Sequence, residues 1–170
     1  MDFETTFDVA ARGYSAWRFP AFGLIFVLAG AVAAFMPKAL AEKLFRRLWH
    51  GEVRVVFGIV VMAFATAWSC STLLGSYLEY RAAVGALRSG SHSVVEGKVG
   101  NFVPMPRAGH AYEHFEVEGV KFAYSDFHVT PYFRSTMHQG GPIREGLHVR
   151  VTYNPSSPQN GILRLEIARK

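Results

Sequence analysis

The chain has 170 residues, half of them apolar, 14% aromatic and only 18% charged, against about 25% charged residues in an ordinary soluble domain. The deficit is concentrated: Phe19–Met36 is a run of 18 residues without a charge and Val55–Leu78 one of 24, and a bilayer core takes roughly 20 apolar residues in helical form. A simple globule in water, a disordered chain and a collagen-like chain are thereby excluded, and the net charge of +5 is placed where nucleic acid would not read it. Residues 1–36 sum to −1, 37–54 to +3, 55–89 to +1 and 90–170 to +2.

In chain order, residues 1–18 read as an N-terminal tail. Asp2, Glu4 and Asp8 make it acidic, which argues against a secretory leader, because a leader opens on positive charge. A first transmembrane helix is predicted over 19–36, with Pro20 in its first turn and Pro37 beyond its end. A basic connector, 37–54, carries Lys38, Lys43, Arg46, Arg47 and Arg54. Its Leu40, Leu44 and Leu48 recur at helical spacing, as in a short helix lying in the headgroup layer. A second transmembrane helix with an extension is predicted over 55–89, stopping at Ser89-Gly90-Ser91. Lys and Arg collect on the cytoplasmic flanks of spans. The connector is therefore expected in the cytoplasm of a bacterial inner membrane, with both termini and the C-terminal domain on the extracytoplasmic side. Tyr14, Trp17, Tyr77 and Tyr80 would form the outer aromatic belt and Trp49 the inner one.

Along the second helix Ala63, Ala67, Ser71 and Gly75 recur every four residues, and the first helix offers Gly30 and Ala34 at the same spacing. Small residues let helix backbones approach in a membrane. The row would serve either the hairpin itself or a homodimer through the second helix. Neither apolar run, Phe19–Met36 or Val55–Leu78, carries an Asp, Glu, Lys, Arg or His, which argues against an ion or proton pathway.

From Ser93 the apolar period changes to two. Val95, Val99 and Val103; Phe115 and Val117; Val120, Phe122 and Tyr124; Leu147, Val149, Val151 and Tyr153; and Leu163, Leu165 and Ile167 mark one face of five strands. Glu118-Gly119 reads as a tight hairpin turn. The expected fold is thus a membrane helical hairpin plus an all-β head over 90–170, a small five-stranded barrel of the oligonucleotide-binding or SH3-like type. Pro104–His110 and Phe127–Ile143 fall outside the strands, and loops of the latter's length have a function or are mobile.

Gly146 to Pro158 reads Gly-x-x-Val-x-Val-x-Tyr-x-Pro-x-x-Pro, preceded by Val95-Glu96-Gly97-Lys98-Val99 and the Val117–Tyr124 hairpin. Over roughly 93–167 the chain resembles a large bacterial family of membrane-anchored domains without assigned activity. In that family a Gly-x-Val strand opens a small β-barrel, and a Val-x-Tyr-x-Pro strand and turn nearly close it. The resemblance implies a tethered β module and no chemistry.

Seven histidines raise the question of a metal. His110 and His114 are four apart and Asp126 and His128 two apart, which on a strand would face the same way. There is no His-Glu-x-x-His and no cysteine pair, and zinc wants three or four convergent ligands. No metal and no cofactor is expected. Nor is a catalytic residue, since Cys70 lies within the second span and no Gly-x-Ser-x-Gly elbow is present. What remains is a binding or interaction module whose contact residues lie in or beside the two loops: His110, Glu113, Ser125, Asp126, His128, Gly140 and Gly141. The expected partners are the lipid bilayer, another envelope protein and a second copy along the second helix, with no nucleic acid. A membrane-anchored metal-dependent enzyme, an immunity protein and a nucleotide-binding sensor are the alternatives.

Overall fold

A computed structural model describes residues 1–37, 39–40, 51–106 and 111–169. The connector residues Lys38, Lys43, Leu44, Arg46, Arg47, Leu48 and Trp49, and His110 of the Pro-Met-Pro loop, lie outside the described residues. The chain divides into two units, Ala16–Tyr77 and the combination of Met1–Ser15 with Leu78–Lys170.

The first unit holds α2 (Arg18–Phe35) and most of α3 (Gly51–Ser89). Both helices are long and apolar enough to cross a bilayer. Their contact is made by small residues. A Cβ built on Gly30 would stand 2.7 Å from the Gly58 carbonyl oxygen, and one on Gly58 2.5 Å from the Ala34 nitrogen. One on Gly23 would overlap the Ser69 hydroxyl. The guanidinium of Arg54 donates to the Ala33 and Met36 carbonyls at 2.7 and 3.0 Å. It thereby satisfies acceptors that the end of α2 leaves without intrahelical partners.

Gly30 and Ala34 are therefore in the helix contact, but Ala63, Ala67, Ser71 and Gly75 are not: all four are exposed, and a Cβ on Gly75 meets nothing within 4 Å. On a helix of 3.6 residues per turn, a strict four-residue step advances about 40° beyond a full turn. The row consequently slides off any straight line of contact. The buried positions Gly58, Ala65 and Ser69 step by seven and then four, which holds them on one side.

The second unit is built on a six-stranded antiparallel sheet. Its strands are β1 (Phe3–Asp8), β2 (Ser93–Val103), β3 (Glu113–Val117), β4 (Val120–Tyr124), β5 (His148–Asn154) and β6 (Gly161–Ala168). They lie in the order β1-β6-β5-β2-β3-β4. The expected five strands thus become six, the expected tail supplies an edge strand, and the barrel does not close. Phe3↔Ala168 through Asp8↔Arg164 pair the two ends of the chain. A bulge between Thr5 and Phe7 turns Phe7 into the core opposite Leu165, while Phe3 lies on the other face against His148 and Arg150. At the far end of β1 the Asp8 carboxylate accepts from the Ala10 and Ala11 backbone N–H groups at 2.8 and 3.2 Å, starting the one-turn α1 (Val9–Arg12).

Closure fails because β1 takes the outer edge of β6 from Arg164 to Ala168, and single hydrogen bonds bridge the start of β6. The Phe133 N–H donates to the Ile162 carbonyl at 3.0 Å, and the Asn160 side chain donates to the Lys121 carbonyl at 3.0 Å. β2 makes the corner of the sheet. Ser93–Lys98 pair with β5, and Val99 onward pair with β3. Asn101, at φ 51°, forms a bulge between Gly100 and Val103. One extra residue inverts the facing of the residues beyond it, so Val103, expected inward, is 55% exposed. Glu118 and Gly119 both take positive φ, 46° and 81°, as a two-residue type I′ turn demands.

Phe115, Val117, Phe122, Val149, Val151, Leu163 and Leu165 form the core. The end of α3, through Ala83, Val84 and the half-buried Tyr80 and Leu87, packs on the same cluster. The unit is therefore α+β, not all-β. Its helix segment ends where Gly90 turns to φ +78°, a left-handed cap that glycine adopts without steric cost.

Candidate functional site

Between β4 and β5 the chain runs from Ser125 to Leu147 with only one short 3-10 turn, Met137–Gln139. Glu113 anchors this loop. The alternation of β3 puts Glu113 on the face of Phe115 and Val117, and it is fully buried. Its carboxylate accepts from the Met137 N–H at 3.0 and 3.2 Å, from the Met105 N–H at 3.4 Å and from the Tyr124 hydroxyl. Burial, and then the neighbouring carboxylate, push the Tyr124 phenol well above its ordinary range, so it is held as a donor. His138 Nε2 donates to the Met105 carbonyl at 2.7 Å. One buried carboxylate thus ties the Pro-Met-Pro loop, β4 and the long loop together, and each donor would lose its partner without it. Phe133, Thr136 and Ile143 sink into the interior beside it.

Three clefts are lined by the loop so fixed. One, of about 240 Å³, lies among Tyr112, His128, Thr130, Tyr132 and Arg134. There the Tyr112 hydroxyl and His128 Nε2 are 2.9 Å apart, and Thr130 donates to Glu79 at 3.2 Å. A second, of about 560 Å³, opens between β1–α1 and the loop, at Phe7, Arg12, Ser135 and Gly140. The third, of about 370 Å³, is lined by Arg12, Asp126, Phe127, Arg134, Ser135 and Gln139. Arg134 donates to the His128 and Asp126 carbonyls at 3.0 and 3.4 Å. Burial first, and then the Arg12 guanidinium, lower its pKa.

The expected contact residues separate. Glu113 and Ser125 are buried, and the Ser125 hydroxyl contacts the Met105 sulfur at 3.9 Å. Asp126 and His128 are not on a strand: β4 ends at Tyr124, and the His128 N–H closes a turn onto the Ser125 carbonyl. Asp126 is half-buried with Oδ1 unpartnered among the described residues, while His128 is exposed. Gly140 takes φ +78°. A Cβ on Gly141 would stand 1.9 Å from the Ser135 carbonyl oxygen, so both glycines serve the loop's path. Among the described residues no three of His, Cys, Asp and Glu converge as metal ligands.

Arg134 lines one cleft with Tyr112 and another with Arg12, and no spacing along the sequence brings either pair together. The anchoring role of Glu113 has a signal in the sequence, its parity with Phe115 and Val117. Comparison with protein-family models, with curated proteins and with solved structures finds no match to this chain.

Proposed function

We propose that the chain is an integral protein of a bacterial inner membrane, crossed by α2 and α3. Its sheet unit, without catalysis, recognises another envelope protein through the loop over residues 125–143. Two features support the membrane half. The helical unit buries glycine, alanine and serine while Phe22, Leu28, Phe35 and Phe64 are 57%, 66%, 71% and 72% exposed, the partition that suits lipid. In addition, β1 precedes α2 and pairs with β6 at the other end of the chain, which favours an even number of crossings between them. The Lys and Arg of the connector support its cytoplasmic placement, with the sheet unit outside. A reporter that fluoresces only in the cytoplasm, fused after Lys170, should stay dark, and a bright fusion would reverse the orientation.

The observation that carries recognition is the buried Glu113 holding a strand-free loop that lines all three clefts. Loops of this length in compact domains are commonly functional. A photo-activated cross-linker at Val129 should give a discrete protein adduct in native membranes, and one at Val94, on β2, should not. Identical patterns from the two positions would refute recognition through the loop.

A further inference from the structure

Arg12 ends α1, and Arg134 lies in the middle of the loop over residues 125–143. Both line the cleft of about 370 Å³ that Ser135 and Gln139 also border. Among the described residues neither guanidinium makes an ion pair with a carboxylate. Arg12 lies 5.8 Å over the Phe7 ring, and Arg134 is steadied by two carbonyls. Two like charges beside one cleft repel, and the mutual effect is visible in the lowered pKa of Arg134, behind burial. Among the described residues lining the cleft the one opposing charge is Asp126, which leaves an excess of one positive charge. Two guanidinium forks with a hydroxyl and an amide donor are the recognition chemistry of a tetrahedral oxyanion.

We infer that this cleft binds a phosphoryl group, supplied by a lipid headgroup or as the free anion. A bound phosphoryl group would neutralise the repulsion between Arg12 and Arg134 and accept from all four donors. Asp126 opposes it and sets an upper limit on affinity. Arg12 stands six residues before α2 begins in the sequence. The inference rests on the loop being a recognition surface. Its test is independent of the cross-linking experiment, because no protein partner is present.

The full chain, purified in a neutral detergent, is titrated with inorganic phosphate, with dihexanoyl phosphatidic acid and with dihexanoyl phosphatidylcholine. One of the first two should bind in a salt-sensitive manner and the phosphatidylcholine should bind least. Tighter phosphatidic acid identifies the headgroup as occupant, and tighter phosphate identifies the free anion. Arg12→Gln and Arg134→Gln should each weaken binding roughly tenfold or more, Asp126→Asn should tighten it, and Arg169→Gln should leave it unchanged. Unaltered circular dichroism and melting of each variant exclude misfolding as the cause. Binding that survives both Arg12→Gln and Arg134→Gln, or that falls equally with Arg169→Gln, overturns the inference.

Discussion

In the sheet unit the buried positions are Phe115, Phe122, Leu163 and Leu165, and the exposed ones are largely charged or polar; between α2 and α3 the buried positions are Gly23, Gly30, Gly58, Ala65 and Ser69, and the exposed ones are Phe, Leu, Ile and Val. The same chain therefore solves two packing problems in opposite senses. Water rewards removal of large apolar surface, so the sheet unit is held by volume and area. Lipid tails offer no such reward, so a helix pair in a membrane gains by close backbone approach. Arg54 fits this contrast: as a buried charge it would be costly unpaired, and it instead terminates α2 through two carbonyls.

The most direct way to break the comparison is to truncate one aromatic in each unit. Phe122→Ala, at 1% exposure, should cost about 3–5 kcal/mol, read as a lowered melting temperature of the sheet unit in the intact protein. Phe64→Ala, at 72% exposure, should leave both units unchanged within about 0.5 kcal/mol. Similar losses from the two would mean that the helical unit is packed like a water-facing core.

Enlarging small residues sharpens the contrast in the other direction. Gly58→Leu meets the α2 backbone at its first side-chain atom and should destabilise the helix pair by about 1–3 kcal/mol or more. Loss of an engineered disulfide between the two helices would report it. Gly75→Leu enters open space and should preserve that disulfide. If Gly75→Leu instead changes cross-linked adducts in native membranes, the exposed row serves a second copy of the chain or another membrane partner.

The smallest effect concerns the seam between the two ends of the chain. Burial raises the pKa of Asp8, but the Ala11 and Ala10 N–H groups and Arg164 outweigh it, leaving the carboxyl below its usual value. A lowered folded-state pKa contributes stability that is present above the unfolded value, near pH 4, and is lost as pH falls through the folded value. Asp8→Asn keeps the N-cap acceptor but loses the Arg164 ion pair, so it should cost about 0.2–1 kcal/mol at neutral pH and should flatten the decline in melting temperature between about pH 5 and 2. An unchanged acid limb would show that the β1–β6 seam does not depend on this ion pair.

The two apolar helices and the alternation after Ser93 are legible in the sequence because each is a local pattern: continuous apolarity over a bilayer's thickness, and a period of two with polar neighbours. The Glu118-Gly119 turn is legible for the same reason, since its backbone angles are a property of two residues. The inward set Phe115, Val117, Phe122, Val149, Val151, Leu163 and Leu165 follows from parity alone. Parity also places Glu113 inside, where charge is not expected, and that conflict is the one sequence signal of the anchored loop.

Tertiary structure alone decided the rest. β1 is a short strand whose partner lies at the opposite end of the chain, and no local pattern states that pairing. The bulge at Asn101 reverses the facing of Val103, because one inserted residue changes parity without changing composition. The barrel stays open because β1 and Phe133 take the outer edge of β6, a competition between segments distant in sequence. Arg12 and Arg134 share a cleft for the same reason. Spacing along the chain fixes which residues share a face of one element; which elements meet is settled by the packing of the whole unit.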